Sequence, residues 1–138
     1  MILGIGTDII DIRRIEKTIQ KYGEKFKKRC FSINEIKRSE NKFKTANSYA
    51  KRYAAKEACS KALGTGLARG IFWKDIEVKN NKYGKPSIIL HNNALNRIIK
   101  MTNKDYRIEV SLSDEKNYAI ANVIILEVWN LTVVFLII

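Results

Sequence analysis

The stretch GIGTDIIDI, residues 4–12, combines two glycines, four isoleucines and two carboxylates. Residues 1–9 are short, apolar and β-branched, a pattern that predicts a buried strand. The stretch is not a dinucleotide fingerprint, because Ile9 stands where the third glycine is required, and the chain has no GxxxxGK[ST] phosphate loop. A strand that ends in Asp8 leaves two interpretations open. Either Asp8 or Asp11 caps the following helix, or Asp8 is one ligand of a metal site.

The rest of the chain predicts a mixture of helices and strands. SINE, residues 32–35, is a capping box in which Ser32 caps a helix and Glu35 reaches back to the cap. Gly64 ends an alanine-rich helix, and NNKYGKP has the residues of a turn. Helices are predicted over 11–28, from Ile33, over 48–63 and over 93–101, and further strands over 76–79, 87–90, 107–112 and 118–126. The pattern indicates an α+β fold: one compact domain with a largely antiparallel sheet and packed helices.

Length and charge restrict the classes of function. The 138 residues suit one domain, and a hydrophobic content of 46% suffices for a packed core. A net charge of +12, from 26 Lys and Arg against 14 Asp and Glu, predicts an acidic partner. A nucleic-acid-binding domain is the main alternative. It is not expected, because the chain has neither an RRM-like aromatic pair nor a GXXG clamp.

The C-terminal part of the chain is apolar, with Glu127 as the only charge between residues 118 and 138. That length, roughly 20 residues, suffices to cross a bilayer. Its first half has the β-branched residues of a strand, however, and Glu127 would lie in hydrocarbon at a cost of at least about 2.5 kcal/mol. We therefore expect a domain over 1–126 and an apolar extension of unknown role over 127–138, packed on the protein or a partner and not in a membrane.

The segment AAKEACSKALGTG, residues 54–66, holds the second group of candidate residues. Glu57 and Lys61 lie four residues apart on one helix face. They form a surface ion pair or, because the alanines favour burial of this helix, a functional pair. The glycines on either side of Thr65 end the helix or offer backbone N–H groups to a phosphate. The residues alone leave both alternatives open, and Ser60 is equally a phosphate contact or filler.

Four separated motifs carry a resemblance that runs from Ile2 to about Leu126. They are ILGIGTDIIDIRRIE at 2–16, KRYAAKEACSKALGTG at 51–66, YGKP at 83–86 and VSLSDEKNYAIANVII at 110–125. In this order and spacing they resemble the holo-acyl-carrier-protein synthases, the small bacterial 4′-phosphopantetheinyl transferases. The resemblance implies a compact α+β fold, trimers and active sites between subunits. It also implies transfer of 4′-phosphopantetheine from coenzyme A to a serine of apo-acyl carrier protein for fatty acid biosynthesis, with 3′,5′-ADP as the other product. The two isolated cysteines, Cys30 and Cys59, predict reduced thiols in a cytoplasmic protein.

The same resemblance implies roles for particular residues. Asp8 and Glu57 would hold Mg²⁺, beside glycines that let the backbone turn tightly. Lys61 would reach the diphosphate of coenzyme A, and a water held by Asp8 or Glu57 would take the serine proton. The catalytic residues are thus Asp8, Glu57 and Lys61. The implied coenzyme A contacts are Arg52, Ser60, Lys61, Gly64, Thr65, Gly66, Gly84, Lys85 and Pro86, and the implied carrier-docking residues are Arg13, Arg14, Lys17 and Lys21.

Two features depart from the family pattern. Glu109 stands where many relatives have His, and a carboxylate there would oppose phosphate binding. Residues 127–138 extend beyond the usual end of the family. Both departures raise the alternative of a protein that keeps the fold without the activity. The presence of Asp8, Glu57 and Lys61 argues against that alternative.

Overall fold

The computed structural model describes residues 1–129, in which the chain forms five helices and five strands. The strands are β1 (Ile2–Asp11), β2 (Ile76–Asn80), β3 (Pro86–Leu90), β4 (Asp105–Asp114) and β5 (Tyr118–Val128). The helices are α1 (Ile12–Tyr22), α2 (Glu24–Cys30), α3 (Ile33–Glu40), α4 (Thr45–Ala62) and α5 (Asn92–Met101).

The strands form two antiparallel sheets. β5 lies between β1 and β4 in a three-stranded sheet, and β2 and β3 form a separate two-stranded hairpin. The hairpin turn falls on NNKYGKP, as predicted. The α+β class with an antiparallel sheet is therefore confirmed.

Helix α4 covers one face of the three-stranded sheet and forms the centre of the core. Its alanines Ala54, Ala55 and Ala58 are fully buried, because small side chains let the helix lie close to the strands around it. Along β1, Asp8 and Ile10 are buried on the face toward α4, while the alternating residues Ile5, Thr7 and Ile9 point to the open face of the sheet.

A buried ion pair joins α3 to α4 and β2. Lys56 and Glu35 are fully buried, and Lys56 Nζ donates to Glu35 Oε1 at 2.8 Å and to the carbonyl of Trp73 at 3.0 Å. Glu35 also completes the predicted capping box, since its Oε1 accepts from Ser32 N at 2.9 Å. Its second oxygen accepts from Val78 N at 3.1 Å. Every oxygen of this buried carboxylate is thus bonded.

Three differences between the observed elements and the sequence predictions affect the surroundings of the site. The predicted helix over 11–28 is two helices, because Gly23 adopts φ 55° and ends α1. Helix α4 begins at Thr45, three residues before the predicted start. Strand β1 continues to Asp11, whose Oδ1 accepts from Arg13 N at 2.9 Å and caps α1.

The predicted extension begins inside the sheet. β5 continues to Val128, and Glu127 accepts a hydrogen bond from Thr102 Oγ1 at 2.7 Å. The rest of the extension, residues 130–138, lies outside the described residues. Among residues 1–129, no helix has both the length and the apolar character needed to cross a bilayer.

Candidate active site

Asp8 lies within β1, not at its tip as predicted, because the strand continues for three more residues. Its side chain is directed toward α4 and the residue is only 8% exposed. Asp11, and not Asp8, caps α1. Asp8 is a buried carboxylate on the face of the sheet that α4 covers. Burial of an acid requires a partner, and α4 supplies one.

Gly4 and Gly6 let α4 lie directly on β1. A Cβ atom at Gly6 would stand 1.7 Å from the carbonyl oxygen of Ala58, and one at Gly4 would stand 1.9 Å from that of Ala62. The prediction that these glycines make a tight turn is wrong, because both lie in the extended strand. Their role is close approach of two backbones, which brings Asp8 against the helix.

Glu57 projects from α4 to Asp8. Burial and the hydrogen bond and charge of Asp8 raise the pKa of Glu57 to about 7, and the positive charges of Lys61 and Arg14 offset part of that rise. Two carboxylates held this close repel each other when both are ionised.

Lys61 completes the cluster. Its Nζ donates to Asp8 Oδ1 at 3.0 Å and to the carbonyl oxygen of Thr7 at 3.0 Å. The ion pair of Lys61 is therefore with Asp8 across the helix–strand contact, and not with Glu57 one turn earlier on the helix. The Lys61 side chain remains exposed, so its charge faces a ligand or solvent. The structure thus brings together Asp8, Glu57 and Lys61, as the sequence predicted.

The donors of this cluster fit Mg²⁺. Asp8 and Glu57 offer carboxylate oxygens, which this ion prefers, and a cation between them would relieve the repulsion that raises the pKa of Glu57. Within residues 1–129, no three His, Cys, Asp or Glu side chains gather as a fuller ligand set. The chain would therefore supply two ligands and leave the remaining positions to phosphate oxygens and waters.

A second candidate region, the basic cavity, lies on the other side of α4. Arg52 and Lys61 are nine residues apart, which at 100° per residue places them on opposite faces of the helix. The basic cavity has a volume of about 560 Å³. Five of its lining residues are cationic: Arg38, Lys42, Lys44, Lys51 and Arg52.

Arg52 is a buried cation that has no carboxylate partner within residues 1–129. It is 4% exposed, and its guanidinium donates to Ser48 Oγ at 2.8 Å and to Asn80 Oδ1 at 2.7 Å. Its Nε has no hydrogen-bond partner among the described residues, and burial lowers the pKa of Arg52. The one carboxylate that lines the cavity, Asp114, is already bonded to Lys51 and Asn47. An anion in the cavity would satisfy the remaining charge.

The N-terminus of α4 adds to this positive field. Lys44 occupies the N-cap position, and no side chain caps the helix. The free N–H groups of an 18-residue helix, at the positive end of its dipole, therefore lie beside the cavity.

The hairpin turn places one predicted coenzyme A contact at the basic cavity. Gly84, with φ 87°, lines the cavity, while Lys85 and Pro86 follow in the same turn without lining it. Asn81 fixes the turn, because its Oδ1 accepts from Tyr83 N and Lys85 N, each at 2.9 Å.

The remaining predicted contacts follow the end of α4. Ser60 is buried and its hydroxyl donates to the carbonyl of Glu57 at 2.7 Å, so its contact with a phosphate stays a prediction. Gly64 and Gly66 adopt φ 77° and 61°, which confirms a glycine-dependent turn after the helix. Thr65 Oγ1 is buried without a hydrogen-bond partner in the described part of the chain.

The predicted docking residues Arg13, Arg14, Lys17 and Lys21 line one recess of about 560 Å³ along α1. Arg13 is engaged by Asp11 through two side-chain bonds of 2.9 and 2.7 Å. Arg14 is close enough to lower the pKa of Glu57. The basic face of α1 therefore borders the carboxylate cluster.

Comparison with known proteins identifies the family and supports the fold. Residues 4–123 match the profile of the 4′-phosphopantetheinyl transferase superfamily. The chain belongs to this superfamily. It is 53% identical to the holo-[acyl-carrier-protein] synthase of Agrobacterium fabrum over 127 residues, which cover 91% of this chain and 95% of that protein. The predicted resemblance to holo-acyl-carrier-protein synthases is confirmed.

Solved structures of the superfamily agree with the described fold. The holo-[acyl-carrier-protein] synthase of Neisseria meningitidis matches with a TM-score of 0.80 at 34% identity, over 92% of this chain and 100% of the other. The synthase of Bacillus anthracis, in complex with CoA (3′,5′-ADP), matches with a TM-score of 0.73 at 35% identity, over 91% and 96% of the two chains.

Sequence reasoning missed most of the basic cavity of this phosphopantetheinyl transferase. Lys44, Lys51 and Asn80 were not singled out, because lysines occur throughout the chain and the cavity joins elements distant in sequence. The dense basic run over residues 37–44, next to the α4 N-terminus, is the sequence signal from which the basic cavity could have been predicted. Glu109 does not line the cavity: it lies on β4 and pairs with Arg107 at 3.1 Å.

Proposed function

We propose that this chain transfers the 4′-phosphopantetheine group from coenzyme A to a serine hydroxyl of apo-acyl carrier protein, for fatty acid biosynthesis in the cytoplasm. The other product is 3′,5′-ADP. Membership of the superfamily and the synthases it resembles support this reaction. The observation that carries the proposal is the cluster in which Asp8, Glu57 and Lys61 converge from β1 and α4.

Asp8 and Glu57 would hold Mg²⁺ through their carboxylate oxygens. When bound, Mg²⁺ supplies positive charge at the diphosphate of coenzyme A. The same carboxylates provide acceptor oxygens that receive the serine proton, directly or through a water. Asp8 also holds Lys61 in place, because its Oδ1 accepts a hydrogen bond from Lys61 Nζ.

Lys61 stabilises the leaving group. Its exposed Nζ stands 3.0 Å from Asp8 Oδ1 and carries a charge that the diphosphate can meet. As the bond from the β-phosphorus to the bridging oxygen breaks, negative charge grows on that oxygen, and a nearby ammonium group offsets it or donates a proton. Positioning and charge, not covalent chemistry by the protein, account for catalysis in this arrangement.

The nucleotide half of coenzyme A would occupy a basic cavity. Arg52, without a carboxylate partner, is suited to the 3′-phosphate, and the uncapped end of α4 adds positive field. Gly84, Lys85 and Pro86 would lie near the adenine end. The turn with Gly64, Thr65 and Gly66 would hold the pantetheine and phosphates.

We propose that the active enzyme is a homotrimer with active sites between subunits. On the face of the three-stranded sheet away from α4, β1 and β5 present isoleucines that are exposed or half-buried: Ile5 stands opposite Ile124, and Ile9 opposite Ile120, with the polar pair Thr7 and Asn122 between them. Such a face is normally covered. A neighbouring subunit would cover it. Because Arg52 and Lys61 lie on opposite faces of one helix, a neighbour also offers a way to pair one subunit's basic cavity with another's carboxylate cluster.

The basic face of α1 would dock the acidic carrier protein. Arg14, Lys17 and Lys21 line one recess that borders the carboxylate cluster, so a carrier bound there presents its serine to Glu57 and Asp8. Opposite charges across such an interface speed encounter, and salt weakens it.

Release of 3′,5′-ADP from coenzyme A tests the proposal. Chromatography of the reaction mixture should show one 3′,5′-ADP for each carrier consumed, with no release when carrier protein is omitted or EDTA is added. Release without carrier would indicate hydrolysis of coenzyme A and contradict the transfer. Absence of release at saturating Mg²⁺ would contradict the function altogether.

A further inference from the structure

Phe43 is a fully exposed aromatic residue on an ordered loop. It lies in the connection between α3 and α4, and its side chain has no cover in the described structure. The loop is tied down on both sides. Lys42 N donates to the carbonyl of Ser39 at 3.1 Å, and Thr45 Oγ1 donates to the carbonyl of Lys42 at 2.8 Å. The ring is therefore held out in water by a fixed backbone.

Phe43 lies at the edge of the basic cavity. It lines that cavity together with Lys42 and Lys44, its neighbours in sequence, and with buried Arg52. A planar apolar ring beside clustered cations matches a ligand that joins a planar base to phosphate groups. A ligand with phosphate alone would use the cations and leave the ring without a role.

We propose that Phe43 is the platform on which the adenine ring of coenzyme A stacks while Arg52 and its neighbours hold the 3′-phosphate. This inference rests on the proposed function, because it takes coenzyme A as the ligand of the cavity. Stacking removes one face of the Phe43 ring and one face of the base from water. Phe43 thus binds the nucleotide and takes no part in the chemistry at the diphosphate, which belongs to the carboxylate cluster.

Other exposed aromatic residues provide the comparison. Tyr83 is also largely exposed and lies in the hairpin turn next to Gly84, but it does not line the cavity, and Lys82 Nζ stands 5.0 Å from its ring centroid. Phe72 is an exposed phenylalanine between α4 and β2 that does not line the cavity either. Phe72→Ala is therefore the matched control, and Tyr83→Ala tests the competing platform.

Isothermal titration calorimetry with two probes tests the inference. The probes are 3′,5′-ADP and a base-free ribose 3,5-bisphosphate that carries the same phosphates. Phe43→Ala should bind 3′,5′-ADP about tenfold more weakly, because base–aromatic stacking is lost. It should bind the base-free probe as the wild type does. Phe43→Tyr should retain wild-type affinity for both probes, and Phe72→Ala should match the wild type.

Kinetics separate this inference from the proposed function. Phe43→Ala should raise KM for coenzyme A about tenfold and leave kcat unchanged. Unchanged KM in Phe43→Ala, with an active wild type, would overturn the stacking role alone. So would equal losses for the two probes, or a loss that follows Tyr83→Ala instead. A wild type that forms no holo-carrier protein would overturn the proposed function, whatever its affinity for 3′,5′-ADP.

A change of assembly state is a further outcome to examine. Size-exclusion chromatography with light scattering should give the same mass for Phe43→Ala and the wild type. A smaller mass, with 3′,5′-ADP affinity unchanged, would make Phe43 an intersubunit contact and overturn the proposal.

Discussion

Asp8 and Glu57 meet because a strand and a helix cross at two glycines. Asp8 is fixed by β1, in which residues on both sides pair with β5, and Glu57 by the middle of α4. Asp8 is buried and Glu57 is partly buried, and this burial, together with the hydrogen bond and charge of Asp8, raises the pKa of Glu57 to about 7. Lys61 balances only part of this charge. The two carboxylates therefore suit a cation, and the exposed ammonium group of Lys61 suits a phosphorylated ligand.

Glu57→Ala should reduce transfer by about 10²–10³-fold or more, because it removes one of the two carboxylates that would hold Mg²⁺. Initial rates of holo-carrier formation at saturating Mg²⁺ measure the effect. Glu115→Ala, at an exposed glutamate in the turn before β5, is the matched control and should keep full activity.

The fold of the Glu57 variant should remain intact. Removal of one of two repelling carboxylates costs no native ion pair, since Lys61 is bonded to Asp8. The melting temperature in EDTA should therefore equal or exceed that of the wild type. Near-normal turnover by Glu57→Ala would contradict the metal assignment, and a large fall in melting temperature would point to a structural role instead.

The family resemblance, and not residue types and spacing, predicted the carboxylate cluster, and neither predicted the basic cavity. Residue types and spacing left two interpretations for Asp8 and two for the Glu57–Lys61 pair, and the two short motifs that contain these residues carried the resemblance. Arg52 is buried and donates hydrogen bonds to Ser48 and to Asn80. Asn80 lies on the hairpin, distant in sequence, so the surroundings of Arg52 could not be predicted before the fold was known. The bond from the Ser60 hydroxyl to the carbonyl of Glu57, one helical turn earlier, was also not predicted, because the residue type does not show which way the hydroxyl points.

At the level of elements, the contact between α4 and β1 sets the site. Two backbones approach here more closely than any side chain would allow. The glycines were recognised in the sequence, but their purpose was not, because a pattern with two glycines is equally typical of a turn. Similarly, the break between α1 and α2 follows from the left-handed conformation of Gly23, which a continuous apolar pattern conceals.

Gly6→Ala should destabilise the protein by about 3 kcal/mol or more, or prevent it from folding, because its Cβ would overlap the carbonyl of Ala58. Urea denaturation measures the free energy of unfolding. Gly70→Ala is the control: its φ of 81° is also strained, but nothing lies within 4 Å of the new Cβ. It should cost about 1–2 kcal/mol. Equal stability of Gly6→Ala and wild type would contradict the close-approach account.

Removing one partner of the buried ion pair between α3 and α4 should strongly destabilise the fold, because the other charge would remain buried without its counter-ion. Lys56→Met leaves buried Glu35 with backbone donors only, and should lower the free energy of unfolding by about 3–5 kcal/mol. The double variant Lys56→Met with Glu35→Gln should recover part of that loss, because no uncompensated charge remains. Denaturation midpoints measure both. A loss below 1 kcal/mol in the single variant would show that the pair contributes little.

At the scale of the whole molecule, one chain holds two half-sites on opposite faces of α4. The carboxylate cluster faces β1, and the basic cavity opens between α3, α4, the hairpin turn and β4. Exposed isoleucines, Ile5, Ile9 and Ile124, lie on the open face of the three-stranded sheet. The proposed assembly of subunits would account for both features, since a contact between chains would cover these isoleucines and complete the site.

Mixed subunits test whether two chains share a site. Glu57→Ala and Arg52→Met should each be nearly inactive alone. If the chains are denatured and refolded together, some interfaces pair an intact cluster from one subunit with an intact cavity from another, so activity should return to a measurable fraction of the wild type. Circular dichroism of each variant controls for folding. No recovery in a mixture that assembles normally would place the whole site within one chain.

The most direct test of the central claim is the intact mass of an apo-acyl carrier protein after incubation with this protein, coenzyme A and Mg²⁺. The account predicts that the carrier gains the mass of one phosphopantetheine, on its acceptor serine, and that EDTA, Glu57→Ala or loss of that serine abolishes the gain. An unchanged carrier mass, with the protein folded and Mg²⁺ saturating, would contradict the account.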